Sequence, residues 1–464
     1  MHNAAGRRCP RPGRLAGAAS TAGAQGEGRQ SYVQATLMRR LEDLRTLARS
    51  RIARNFLVYS LDYGLRIFIQ LGYFLVISRS LGPAAYGGFA SITAITLLAS
   101  TFSGIGCDQV LIRQVAKEHR PFAESFGNAL SSVLYSSLVL VPLVMALSLV
   151  LDFATLSLTG VAMIAIADIV MNRAVWLANT SFQAHERAQV QMVINLSALG
   201  LKFISVVLAW QLSDPLTLNA WALWYLAGAT CSAVLAVSIV VAKLGAPRMT
   251  WRPREIGDGF IYSLEFASLA GLRDLDKTVV VQTLGATAGG YYTAAFRIVD
   301  TASVPVRALL AATYTRYFHH SRSGGEAALG FARKVIPYMV VLCILVGLGL
   351  LVCAPVVPML IGEDYRPAVG LIRILSIYPL LFGLSALNGD VLRALQQQRA
   401  RLLIMLGLMV IYVPAIWLGT RLLAEDGAAI GRIAVQALLF LATGLVAFRI
   451  AARTAPRAGG GGAA

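Results

Sequence analysis

Residues 335–360 read VIPYMVVLCILVGLGLLVCAPVVPML, without one charged side chain. About 20 apolar residues wound as a helix cross a bilayer core of roughly 30 Å, so this stretch is long enough to span a membrane. Working outward, comparable runs fall at 55–78, 86–106, 124–150, 155–183, 189–210, 219–242, 258–283, 291–315, 368–392, 402–420 and 429–448. The chain is 57% hydrophobic and 14% charged, far from the roughly one-quarter charge of a soluble domain. The expected fold is an all-α membrane protein of about twelve spans.

The formal net charge of +18, with 41 basic and 23 acidic residues, would suggest nucleic acid in a soluble protein. Here the basic residues instead gather in alternate connections between the runs. One set of connections holds fifteen Lys and Arg, and the other holds only Arg79, Arg366 and Arg421. By the positive-inside rule the rich set is cytoplasmic, which puts both termini there and predicts a multi-pass membrane protein.

Residues 1–36 are rich in Gly, Ala, Arg and Pro and lack the apolar core of a signal peptide; they are expected to be a disordered cytoplasmic tail, and translation starting at Met38 would also give a sensible protein. Over 37–53 the apolar positions Leu37, Leu41, Leu44, Ala48 and Ile52 recur at helical spacing beside several arginines, the pattern of an amphipathic interfacial helix. The expected organisation continues with an N-terminal six-helix bundle over 54–242, a basic cytoplasmic linker over 243–257, a C-terminal six-helix bundle over 258–450 and a flexible tail over 451–464. Trp221 and Trp224, at one end of the sixth run, are expected as interfacial anchors.

Two short connections share a form. Leu81-Gly82-Pro83-Ala84-Ala85-Tyr86-Gly87 follows the first run and Leu284-Gly285-Ala286-Thr287-Ala288-Gly289-Gly290 follows the seventh. Each reads Leu-Gly, four residues, Gly, a natural helix-ending turn. With six runs on either side of the 243–257 linker, they suggest two halves related by an internal repeat.

The stretch from Arg54 to Ala116, with its RSLGPAAYG turn, Gly104-x-Gly106 and Arg113-Gln-Val-Ala116, resembles the opening of bacterial polysaccharide and O-antigen flippases. These belong to the multidrug, oligosaccharidyl-lipid and polysaccharide exporter (MOP) superfamily. Further echoes are Asp274 and Asp276 followed by Leu284-Gly285, then Gly290-Tyr291-Tyr292-x-Ala294-Ala295-x-Arg297, and Ile361-Gly362-x-x-Tyr365. The eleventh run departs from the pattern, since Tyr412-Val413-Pro414 and Leu422-Leu423-Ala424 only approximate the Asn- and Leu-rich stretch of that family, which leaves the subfamily open. The resemblance implies two six-helix bundles around a central cavity, open alternately to either side, and as cargo an undecaprenyl pyrophosphate-linked oligosaccharide repeat unit for surface polysaccharide, such as O-antigen of lipopolysaccharide or exopolysaccharide. It also implies as partners membrane lipids and the glycan polymerase and chain-length regulator of the same pathway, and no nucleic acid.

Intramembrane charges mark the candidate site. An ionised side chain at the bilayer centre costs about 2.5–3.5 kcal/mol on insertion scales, so such charges pair or line an aqueous path. Arg66, Arg173, Lys202, Arg273, Arg297 and Arg307 are the candidates for a cationic lumen, because guanidinium forks match phosphate oxygens. Asp62, Glu265, Asp276 and Asp300 are candidates for ion coupling or for ion-pair partners; Asp62 and Arg66 stand one turn apart. The five cysteines and five histidines show no metal-ligand spacing, no catalytic constellation or phosphate-cradling Gly loop is evident, and neither enzyme activity nor a cofactor is expected. The rival readings are a multidrug or cation antiporter of the same superfamily, a lipid II flippase, and a membrane polysaccharide polymerase or ligase. The first calls for an acidic lumen and the last for a large outer loop.

Overall fold

The computed structural model describes residues 51–151, 156–213, 215–252, 256–321 and 325–454. The expected tail over 1–36, nearly all of the interfacial helix over 37–53 and the tail end beyond residue 454 lie outside the described residues. The chain divides into Met1–Leu61 and Asp62–Ala464. The second unit holds every described helix except the first turns of α1.

Among the described residues the secondary structure is helical, with no strand. In chain order the helices are α1 (Arg51–Ser100), α2 (Cys107–Ile112), α3 (Phe122–Val150), α4 (Leu158–Ala184, with a π turn at Ala167–Met171), α5 (Ala188–Leu212) and α6 (Leu218–Leu244). Then come α7 (Ile256–Leu284), α8 (Ala286–Ala302), α9 (Val304–Ser321), α10 (Gly325–Cys353, continued by short turns to Ile361), α11 (Ala368–Leu375), α12 (Tyr378–Ala394) and α13 (Gln398–Thr454). Among the described residues seven helices are long and apolar enough to cross a membrane, and the α11–α12 pair, bent by 41°, makes an eighth if taken as one span.

Two of these helices are double. In α1 the chain turns at Gly82 (φ 69°, ψ 173°), and α13 breaks at Leu423 and Ala424 (φ 50°, ψ −130°). The α8–α9 pair, broken at Ser303, and α7 have the length of spans, but their charges keep them below the same measure of apolar character. Rods at 51–81, 83–100, 122–150, 158–184, 188–212, 218–244, 256–284, 286–321, 325–361, 368–394, 398–422 and 425–454 match the twelve expected runs. The eighth rod, 286–321, is longer at both ends than its expected run, 291–315; at its start Gly289 and Gly290 read as turn residues yet lie inside α8.

Each half packs mainly on itself: α5 and α4 against α6 in the first, α7 and α12 against α13 and α10 against α12 in the second. The membrane-facing surface is apolar, with Leu138, Val139, Leu149, Tyr338, Val352 and Val410 each more than two-thirds exposed; such a surface belongs in lipid. Trp221 is not the interfacial anchor expected of it. It is 0% exposed and sits among Tyr73, Phe89 and Tyr225 with ring centroids 5.8–6.2 Å away; two of these rings, Tyr73 and Phe89, come from α1, which a window along α6 alone does not show.

The two Leu-Gly turns meet each other. A Cβ on Gly87 would lie 1.9 Å from the Ala286 carbonyl oxygen, and one on Gly290 would lie 2.0 Å from the Pro83 carbonyl oxygen. Counted from Gly82 and Gly285, the contact is reciprocal: the fifth residue after each glycine touches the first residue after the other. Tyr365 adds a hydrogen bond from its hydroxyl to the Ser78 carbonyl, 2.9 Å. At this end the halves are shut against each other. The linker after α6 is strapped to the start of α3, with Arg248 N–H donating to the Ala123 carbonyl at 2.8 Å and Arg252 paired with Glu124 at 2.7 Å.

Candidate functional site: a cationic cavity between the halves

Between the shut end and the basic connections lies a cavity of about 1160 Å³. Its walls come from α1, α4, α7, α8, α9, α12 and α13, and six arginines border it: Arg66, Arg273, Arg297, Arg307, Arg393 and Arg401. Three aspartates, Asp274, Asp300 and Asp390, share the lining. The surplus is positive, which makes the space electrostatically attractive to an anion.

Successive helix positions turn by about 100°, so α7 sends its charges in different directions. Arg273 and Asp274 face the cavity, and Arg273 is 55% exposed on its side chain. Lys277 lies one turn on and pairs with Asp274. Asp276 faces away into the helix packing, where it is 0% exposed, pairs with Arg432 of α13 and accepts from the Tyr292 hydroxyl. Arg432 also donates to the Arg273 carbonyl at 3.1 Å and lies 3.3 Å over the Phe296 ring. This buried pair therefore fixes α7 to α8 and α13 directly behind the cavity wall.

Asp300 of α8 meets two cations at once. Arg273 reaches it at 3.4 Å, and Arg307 pairs with it across the Ser303 break. One carboxylate cannot neutralise two guanidinium groups, so positive charge remains on this wall. Arg307 also lies 5.3 Å from the Phe382 ring centre, and Phe382 stacks on Tyr378. Arg297, half-buried in the lining, makes no ion pair among the described residues. Farther along, Asp390 pairs with Arg393 at 3.1 Å and Arg401 with Glu265 at 2.6 Å.

Of the six cations predicted from sequence, Arg66, Arg273, Arg297 and Arg307 border the cavity; Arg173 and Lys202 do not. Arg173 donates to Asp108 at 2.9 Å and to the Ser103 carbonyl at 3.1 Å, and Trp176 donates to the same carboxylate at 3.1 Å. It staples α4 to α2 and to the turn before it. Lys202 of α5 stands in the electrostatic reach of Asp168, a buried carboxylate that accepts from Thr96, Asn172 and Tyr225. Among the predicted acids, Glu265, Asp276 and Asp300 are all ion-paired; the Asp62 side chain lies outside the described residues. Arg393 and Arg401 escaped the sequence reading because a charge near a span end reads as part of a connection, and Asp390 stands in the last turn of its expected run. Arg432 stands in the first turn of its predicted span and was missed for the same reason. Asp168 carried the available signal, a lone acid in an apolar run.

The sequence matches the polysaccharide biosynthesis protein family over residues 52–304, more than half of the chain. The chain belongs to this polysaccharide biosynthesis family. Its fold is shared by transporters of the MOP superfamily. An inward-facing multidrug resistance MATE transporter is 16% identical with a TM-score of 0.64, covering 84% of this chain and 96% of that one. The outward-facing conformation of a MATE transporter is 17% identical with a TM-score of 0.55, covering 86% and 95%. A MOP superfamily transporter from Pyrococcus furiosus, described by the reverse polarity of its binding pocket, is 17% identical with a TM-score of 0.55, covering 87% and 98%. No curated protein matches the chain significantly. Family and fold together describe a polysaccharide biosynthesis protein built on the multi-helix membrane fold that MOP superfamily transporters share.

Proposed function

We propose that the protein moves a lipid-linked oligosaccharide, joined through pyrophosphate to undecaprenol, from the cytoplasmic to the outer leaflet of a bacterial inner membrane, with both termini in the cytoplasm. The observation that carries this reading is the cavity lining of six arginines against three aspartates. A pyrophosphate crossing hydrocarbon must shed its water, and guanidinium groups replace it with charge-assisted, bidentate hydrogen bonds. The volume leaves room beside the head group for sugars, while the polyprenyl chain remains among the lipids. A cation antiporter would need the opposite balance, since a surplus of arginine repels its substrate. Pocket polarity is the discriminating property here, and for the Pyrococcus furiosus transporter reversed polarity has been taken to suggest a different function.

Deleting the gene in its host tests the reading. Surface glycan is expected to disappear while its lipid-linked unit accumulates on the inner leaflet, measured by mass spectrometry of extracted lipid and by its accessibility to external enzymes. Normal surface glycan together with heightened sensitivity to cationic drugs would assign the protein to the antiporters instead.

A further inference from the structure

Beyond the arginines the cavity continues into a second chamber of about 270 Å³. Arg273, Asp274, Arg297 and Asp300 border both spaces. Past them the lining changes to rings, from Tyr73, Phe74, Tyr86, Phe89, Tyr225 and Phe296. The chamber ends at the shut turns, where the Phe74 and Tyr86 rings pack 5.9 Å apart and the next residue, Gly87, abuts the Ala286 carbonyl. It is a blind end.

Thr293 supplies a second observation. Threonines in this helix and its neighbours donate to the carbonyl four residues back: Thr283 to Val279 at 2.8 Å, Thr301 to Arg297 at 2.8 Å and Thr313 to Leu309 at 3.0 Å. Thr293 borders the chamber and is 4% exposed, and its hydroxyl, closed off just beneath the lining, has no partner among the described residues. The Tyr73 and Tyr86 hydroxyls in the same lining also make no hydrogen bond among the described residues. A buried hydroxyl without a partner is costly, and a ligand that donates and accepts would relieve it.

Aromatic faces and spare hydroxyls suit a ring that is apolar on its C–H face and hydroxylated at its rim. That is the chemistry of a neutral sugar. Lys277 and Asp274 neutralise each other at the chamber's edge, so the pyrophosphate has no reason to prefer this space over the arginine-rich one. The chamber is also smaller than the roughly 300–1,000 Å³ of whole small-molecule sites; it holds about one ring, and a blind end admits only the end of a chain. Resting on the function proposed above, we infer that this chamber is a subsite for the terminal, non-reducing monosaccharide of the glycan, with Tyr73, Tyr86 and Thr293 reading its hydroxyls.

The test uses the full chain in proteoliposomes and the host's extracted lipid-linked repeat unit, either intact or trimmed of its terminal sugar by an exoglycosidase. Wild type is expected to flip the intact unit about tenfold faster than the trimmed one, because buried hydroxyls left unpaired penalise the analogue. Thr293→Val, Tyr73→Phe and Tyr86→Phe keep the side-chain shapes, and each is expected to cut that preference by about threefold to fivefold, the effect of one neutral hydrogen bond. The preference is a ratio within one protein, so a variant that folds poorly leaves the other two to decide. A wild type without preference, or a preference unchanged in all three variants, overturns the subsite while leaving the proposed function standing. If wild type flips neither lipid, the proposed function fails and the subsite falls with it.

Discussion

Arg297 and Arg173 are both arginines inside apolar runs, yet their surroundings give them opposite work. Arg297 borders the cavity without an ion pair among the described residues, whereas Arg173 is 12% exposed and held by Asp108. Arg297→Gln is therefore expected to lower flipping about tenfold or more, since a charge-assisted hydrogen bond contributes about 1.5–3 kcal/mol, with little change in the unfolding temperature in detergent. Arg173→Gln should lower that temperature, because it leaves Asp108 buried without its cation. The Asp276–Arg432 pair makes a sharper case. Removing one member of a fully buried pair costs roughly 3–5 kcal/mol, while replacing both with apolar groups is often neutral. Arg432→Met alone should destabilise strongly, and adding Asp276→Leu should restore most of the loss; equal damage in single and double variants would contradict this. The sequence makes the presence of such charges legible but not their partners: Asp108 lies 65 positions from Arg173 and Asp276 lies 156 from Arg432, and helical periodicity says nothing across such distances.

Among the elements, the paired Leu-Gly turns matter most to movement. Each places a glycine where a Cβ would collide with a backbone carbonyl of the other half, and a backbone carbonyl cannot rotate aside as a side-chain tip can. Gly87→Ala and Gly290→Ala are expected to hold the halves apart at this end. A cysteine placed at Thr93 in the chamber should then react faster with a membrane-impermeant maleimide added from the outer side, and an unchanged labelling rate would show that the glycines do not govern closure. The repeat itself was readable, since Leu-Gly, four residues, Gly occurs after both the first and the seventh run. Its meaning was not, because a turn motif specifies local backbone and not the surface that it will meet. The spans were legible for a simpler reason: lipid selects length and apolarity in each rod separately. Trp221 shows the limit of that rule, for an aromatic residue near a span end is an anchor only when no neighbouring helix covers it.

At the scale of the whole molecule, the apolar exterior, the shut end and the positive interior describe a container for an anion within oil. The container was foreseeable from twelve runs and several intramembrane cations. Its wall was only partly foreseeable: four of the six predicted cations reach it, and Arg393 and Arg401 join them from positions that read as connections. The central claim is that this surplus of positive charge carries a pyrophosphate-linked glycan across the bilayer. The most direct measurement is the flipping rate of a lipid-linked oligosaccharide in proteoliposomes containing wild type or the Arg273→Gln, Arg297→Gln, Arg307→Gln triple variant. Wild type should flip the lipid, and the folded triple variant should lose at least about a hundredfold in rate, as three charge-assisted contacts disappear together. A folded triple variant that flips it as fast as wild type would contradict the account.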